Sequence, residues 1–133
     1  MPDRDAVIET INRLFIATDN RDWAAVQAQL APEVDFDMTS LTGGSPAKRT
    51  PAEIADGWKT GLAKIEHVHH QAGNFLVDLS FNEATVFCYA VAYHHLGKSV
   101  RQFVGSYDVH LIKTDRWRID RFKFNVKFVE PPL

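Results

Sequence analysis

Five of the six histidines lie between His67 and His95, in two tight groups: His67, His69 and His70, then His94 and His95. Imidazole is the side chain whose ordinary pKa lies near neutral pH, so it gives or takes a proton without an extreme environment. Two such groups on neighbouring strands, facing a common space, would make an acid/base site. Strand alternation limits the set, because adjacent residues point to opposite faces. Of His94 and His95, at most one enters a given pocket. His94 shares its parity with the small residues Ala90 and Ala92, and His95 with Tyr89, Val91 and Tyr93; the room beside His94 favours it. His70 is in phase with Val68, Ala72 and Leu76. His69 is in phase with Phe75, Val77 and Leu79 unless a bulge intervenes at Gly73. Periodicity alone leaves open which of His69 and His70 points inward.

Asp19 is the carboxylate that gives these histidines a partner. It falls four residues after Phe15 and extends the apolar stripe of the first helical segment. A buried carboxylate that accepts from an imidazole N–H fixes the tautomer and raises the basicity of the other ring nitrogen. The competing reading is local: Asp19-Asn20-Arg21-Asp22 caps the next helix. Other candidates carry less. Asp35 and Asp37 share the polar face of an alternating segment and are expected in solvent, as are Arg116, Arg118 and Arg121. His110 has no evident partner. Cys88 sits in an apolar run and reads as a small buried hydrophobe. His67 and His69 could hold a metal with His94 or His95 as a third ligand, but no Cys pair or His-Glu spacing supports this. The expectation is no metal and no organic cofactor.

The elements that must position these residues divide into two halves. Asp3 is a candidate N-cap, followed by Val7, Ile8, Ile11, Leu14 and Phe15 at helical spacing. Asn20 is a candidate cap for a second helix through Trp23, Val26 and Leu30, closed by Pro32. Val34 to Met38 alternates as a half-buried strand, and Thr39 to Thr50 reads as a loop. Thr50-Pro51-Ala52-Glu53 has capping-box form and opens a helix carrying Ile54, Trp58 and Leu62. The second half reads as strands over 67–81, 84–96, 100–113 and 116–129, with a hairpin turn at Gly97-Lys98-Ser99. Trp117 and Ile119 are out of phase with Phe122, Phe124, Val126 and Phe128, which predicts a β-bulge near Asp120-Arg121.

Helices first and long strands after them predict an α+β chain, with a curved sheet wrapped around the helices and a small-molecule pocket inside. At 133 residues the chain fits one domain, 1–133. A net charge of -2 gives no reason to expect nucleic acid or an anionic membrane as partner. No apolar run reaches the ~20 residues that span a bilayer. Met-Pro-Asp-Arg-Asp at the start lacks the layout of a signal peptide, so a cytoplasmic location is expected.

Four stretches in this order carry a resemblance: Ala17-Thr18-Asp19-Asn20-Arg21-Asp22-Trp23, Leu30-Ala31-Pro32-Glu33-Val34-Asp35-Phe36, His70-Gln71-Ala72-Gly73-Asn74 and Asp115-Arg116-Trp117-Arg118-Ile119. Together they resemble the SnoaL-like branch of the NTF2-like superfamily, to which scytalone dehydratase and ketosteroid isomerase belong. Arg116 stands where the family usually has Gly in its last turn. The resemblance implies a cone-shaped α+β fold, with N-terminal helices in the concave face of a strongly curved antiparallel sheet. It implies a catalytic histidine at His70, a helix-end aspartate at Asp19, and a second pocket histidine at His94 or His95. Thr18 and Met38 replace two tyrosines of the scytalone dehydratase pattern, which argues for a different substrate. The expected activity is proton abstraction in a lyase or isomerase reaction on a small apolar compound; the alternative is a non-catalytic ligand-binding or dimerisation domain. Phe15, Met38, Trp58, Tyr89, Tyr93 and Phe124 are the expected substrate contacts, and a homodimer is the expected assembly.

Overall fold

The first helix, α1 (Pro2–Asp19), places Val7, Ile11, Leu14 and Phe15 on one buried stripe. The computed structural model describes residues 2–133. Asp3 lies inside the first turn of α1 rather than at its cap, where, with Asp5, it complements the helix dipole. It also accepts from Lys113 Nζ at 3.0 Å and Trp117 Nε1 at 3.3 Å. The chain leaves α1 through Arg21, whose φ of 56° is left-handed, and the Asp22 amide closes back on the Ala17 carbonyl at 2.9 Å.

The short helix α2 (Trp23–Ala28) is capped by Asp22, whose Oδ1 accepts from the Ala25 amide at 3.1 Å. Asn20 does not take that role. The helix also stops before Leu30, which opens strand β1 (Leu30–Asp37). Pro32 is therefore a strand residue. It lies in the stretch between Leu30 and Asp35 where pairing with the neighbouring strand lapses, as a residue without an N–H requires. The expected loop over 39–50 contains a single helical turn, α3 (Thr39–Thr42), and an edge strand, β2 (Ala47–Arg49). Helix α4 (Pro51–Gly61) begins with the expected capping box: Thr50 and Glu53 exchange side-chain and backbone hydrogen bonds.

Four long strands follow: β3 (His67–Ser80), β4 (Glu83–Leu96), β5 (Ser99–Lys113) and β6 (Trp117–Glu130). The sheet order is β2-β1-β6-β5-β4-β3. It is curved, unclosed and mixed rather than wholly antiparallel, because β1 runs parallel to β6. The apolar stripe of α1 packs over the inner face, which supplies Val86, Val109, Leu111, Ile119 and Phe122 to a common core.

Three bulges set which side chains face that core. On β3, Asn74 and Phe75 together oppose Cys88, and Asn74 adopts a φ of 56°. This extra residue puts Phe75 and Val77 on the same face as Val68, His70 and Ala72, and turns Leu76 outward. On β6, Asp120 is the unpaired residue, so Trp117, Ile119, Phe122 and Phe124 are all buried. The third bulge leaves Lys127 unpaired opposite the Val104–Gly105 step. A Cβ on Gly105 would lie 2.1 Å from the Asn125 carbonyl oxygen and 3.0 Å from the Phe124 ring. Gly105→Ala is therefore expected to cost about 1–3 kcal/mol or more as an overpacked site. The check is the urea midpoint, and an unchanged midpoint would show that the backbones part freely here.

Candidate functional site

The end of α1 and the first third of β3 meet at Asp19 and His70. Both oxygens of the Asp19 carboxylate are used on the same residue. Oδ2 accepts from the His70 backbone N–H at 2.8 Å, and Oδ1 lies 2.6 Å from His70 Nδ1. A carboxylate is an acceptor only, so Nδ1 carries a proton, and in the neutral ring the lone pair is on Nε2. The Phe15 ring stacks on the imidazole, with centroids 5.1 Å apart and an interplanar angle of 11°. Side-chain exposures of 12% for His70 and 14% for Asp19 keep water from competing for this pairing. The His70 ring is thus fixed in position, orientation and tautomer. Asp22, not Asp19, performs the capping that made Asp19 ambiguous in sequence.

His70 opens onto a cavity of about 700 Å³ between the helices and the inner sheet face. Its wall is largely aromatic: Phe15, Phe36, Trp58, Phe122 and Phe124, with Met38 beside them. Its polar groups are few: His70, His94, Thr18, Arg49, Glu53 and Arg101 among them. Thr18 spends its hydroxyl proton on the Leu14 carbonyl, 2.8 Å away, and remains part of the helix.

His94 lines the cavity from β4, with its ring 4.5 Å from that of Phe103. Burial, more than any neighbour, pushes its pKa down to about 4; His70 and Arg101 push the same way, and Asp19 opposes them. His94 is thus a neutral imidazole at pH 7. The linkage sign follows directly. Below about pH 6.5 an unfolded histidine takes a proton that folded His94 refuses until about pH 4. Stability therefore falls as pH drops through that window and is unaffected by His94 above it. His94→Gln is expected to flatten this part of the urea-midpoint profile; an identical slope in both proteins would contradict it.

Of the other expected contacts, Phe15, Met38, Trp58 and Phe124 line the cavity. Tyr89, Tyr93 and His95 do not. Regular alternation along β4 turns them to the outer face, opposite Ala90, Ala92 and His94. Tyr89 is half exposed and meets Phe87 and the Lys127 ammonium. Tyr93 lies beside His69, and His95 stacks on His67. His110, expected to lack a partner, lies between Asp120 at 2.6 Å and Glu83 at 3.1 Å. Cys88 is wholly buried and its thiol is pushed up to about 12 by burial, so it is no nucleophile. Asp35 pairs with Lys48 at 2.8 Å, and Asp37 accepts from the Thr39 hydroxyl and amide.

Sequence reading missed Arg101. The guanidinium donates to the Pro131 carbonyl at 3.0 Å and the Pro132 carbonyl at 3.1 Å, which brings Leu133 to the cavity wall. The signal was present: Arg101 has the same parity on β5 as the buried Phe103, Tyr107, Val109 and Leu111. Phe36 and Phe122 were also missed as cavity residues, although both stood on apolar parities.

N-terminal helices cupped by one curved, unclosed six-stranded sheet match the NTF2-like α+β fold. Within it, this chain belongs to the SnoaL-like domain family, whose model matches residues 1–123. Comparison with curated protein sequences gives no significant match. Among solved structures, a Kribbella flavida protein is similar at a TM-score of 0.92 with 22% identity, over 98% of this chain and 94% of its own. A Novosphingobium aromaticivorans protein provisionally assigned as a scytalone dehydratase is similar at 0.81 with 16% identity, over 95% and 85%. The type 3 hexachlorocyclohexane dehydrochlorinase of Novosphingobium barchaimii is similar at 0.82 with 12% identity, over 96% and 88%. At these identities the likeness establishes the fold. No helix of the described residues is long and apolar enough to cross a membrane.

Proposed function

We propose that this chain is an enzyme in which His70, oriented by Asp19, removes a proton from a carbon next to an activating group of a small, fairly apolar substrate. The observation that carries this is the double engagement of Asp19 with the His70 amide and ring. Unlike His110, which a carboxylate also holds, His70 lines the cavity, where a base could meet a substrate. Nε2 takes the proton. The electron pair left on carbon then expels a leaving group, in elimination, or the proton returns at another carbon, in isomerisation. His94, neutral at pH 7, is suited to hydrogen-bond the developing charge or to exchange the proton. The aromatic wall suits a substrate with an apolar body. Two of the similar structures bear names of elimination enzymes, a dehydratase and a dehydrochlorinase, which favours elimination. A second copy of the chain is the expected partner of the outer sheet face, where Leu76, Tyr89 and Phe128 are exposed.

The test is a screen of small apolar compounds bearing a leaving group next to an acidic C–H, on wild type and His70→Ala. Both thermal stabilisation and turnover are read. Turnover that depends on His70 supports the proposal. Stabilisation of the wild type by several compounds with no turnover of any would favour the binding-domain alternative.

A further inference from the structure

A second histidine pair lies on the opposite side of the sheet from the cavity. His67 begins β3 and His95 lies next to the end of β4; the two are direct cross-strand partners. Their rings stack with centroids 5.3 Å apart and an interplanar angle of 21°. The preceding residue, Glu66, is tied to the same place twice. Its amide donates to the His95 carbonyl at 2.9 Å, and its Oε1 accepts from the Gly97 amide at 2.6 Å. One carboxylate oxygen and one nitrogen from each imidazole fall within 4.8 Å of one another. His95 Nδ1 is shut off from solvent and, among the described residues, has no hydrogen-bond partner.

We infer that Glu66, His67 and His95 form a binding site for a divalent transition-metal ion, with Zn²⁺ as the ion of choice. Two imidazoles and a carboxylate are a ligand set this ion takes, with water completing the tetrahedron. The backbone already does much of the positioning, since register fixes the histidines and two hydrogen bonds fix the glutamate. Ligands held in place before binding lose little conformational freedom when the ion arrives. A buried nitrogen without a partner costs free energy, and a metal bound at His95 Nδ1 would recover it. Glu66 and His67 are exposed, so the ion has an open approach. The trio is distinct from the His67–His69 pairing suggested by spacing, because His69 sits two register positions further along, against Tyr93. The site joins β3 to the β4–β5 hairpin on the face that the proposed chemistry does not use, and it stands whether or not that chemistry is correct.

The experiment is titration calorimetry of tag-free protein with ZnCl₂, alongside thermal melts with and without the ion. A single saturable site and a raised melting midpoint are expected. His67→Ala and His95→Ala are each expected to weaken binding at least roughly tenfold, the lower end of what losing even an outer-shell partner costs. Glu66→Gln keeps the shape and removes the charge, and is expected to weaken binding in the same direction. His69→Ala is expected to bind as wild type does. Circular dichroism confirms that each variant is folded. Absence of a saturable site would overturn the inference. So would binding that survives both His67→Ala and His95→Ala, or binding lost only in His70→Ala, which would place the ion in the cavity.

Discussion

Turnover of a substrate found by the screen is expected to fall ~10²–10⁴-fold in His70→Ala, the usual contribution of a positioned general base. The loss should appear in kcat, while ligand binding, carried mainly by the aromatic wall, changes less. Asp19→Asn probes the same unit differently. A carboxamide can donate to Nδ1, which would shift the proton to Nε2 and leave no lone pair for the substrate. Asp19→Asn should therefore approach His70→Ala in its effect on kcat, although the imidazole remains. The two changes should also be strongly non-additive, because each disables the same base. Full activity in Asp19→Asn with loss in His70→Ala would show that the carboxylate serves folding alone. Full activity in His70→Ala would remove the proposed reaction.

The second large effect is on stability. Phe122 is almost wholly buried and central to the aromatic cluster. Its ring stacks on Phe36 at 6.0 Å and meets Trp58 at 5.8 Å, Tyr107 at 4.9 Å and Phe15 at 6.4 Å. These neighbours come from α1, α4, β1 and β5, so Phe122 is where separate elements share one contact. Truncation to alanine is expected to cost about 3–5 kcal/mol. Domains have only about 5–15 kcal/mol in total, so the urea midpoint should drop sharply. Phe122→Leu fills most of the space and should recover much of the loss. A midpoint that hardly moves in Phe122→Ala would contradict the packing described.

What could be read without coordinates follows from the range of each interaction. The four long strands and the capping box at Thr50 are local signals, and the structure has them within a residue or so. The bulge near Asp120 was legible because a run of aromatics changes parity in plain view. The bulge at Asn74 was not, since it requires a left-handed φ at a residue that can adopt it but need not. That one backbone choice decides whether Phe75 and Val77 side with His69 or with His70. Leu30 and Pro32 were read as the end of a helix because apolar spacing fits either state over so short a span, and only β6 makes Leu30 a strand residue. The parallel pairing of β1 with β6 is a long-range choice with no local signature. The partners of His110 lie across two different strand pairings, at Glu83 and Asp120, beyond the reach of periodicity.

The extra residue at Asn74 gives this site an uneven tolerance to change. Substitutions on the outer side of β3 leave the inward set untouched, since the two sets point to opposite faces. Straightening the bulge with its residue kept is another matter, because strict alternation over the present length would bring Leu76 into the core in place of Phe75. Deleting Asn74 itself would leave His70 and Phe75 an even number of positions apart and on the same face. Bulge and residue count are thus guarded together: both stay or both go. An engineer who wishes to recast the cavity should exchange side chains along β3 and keep the two matched.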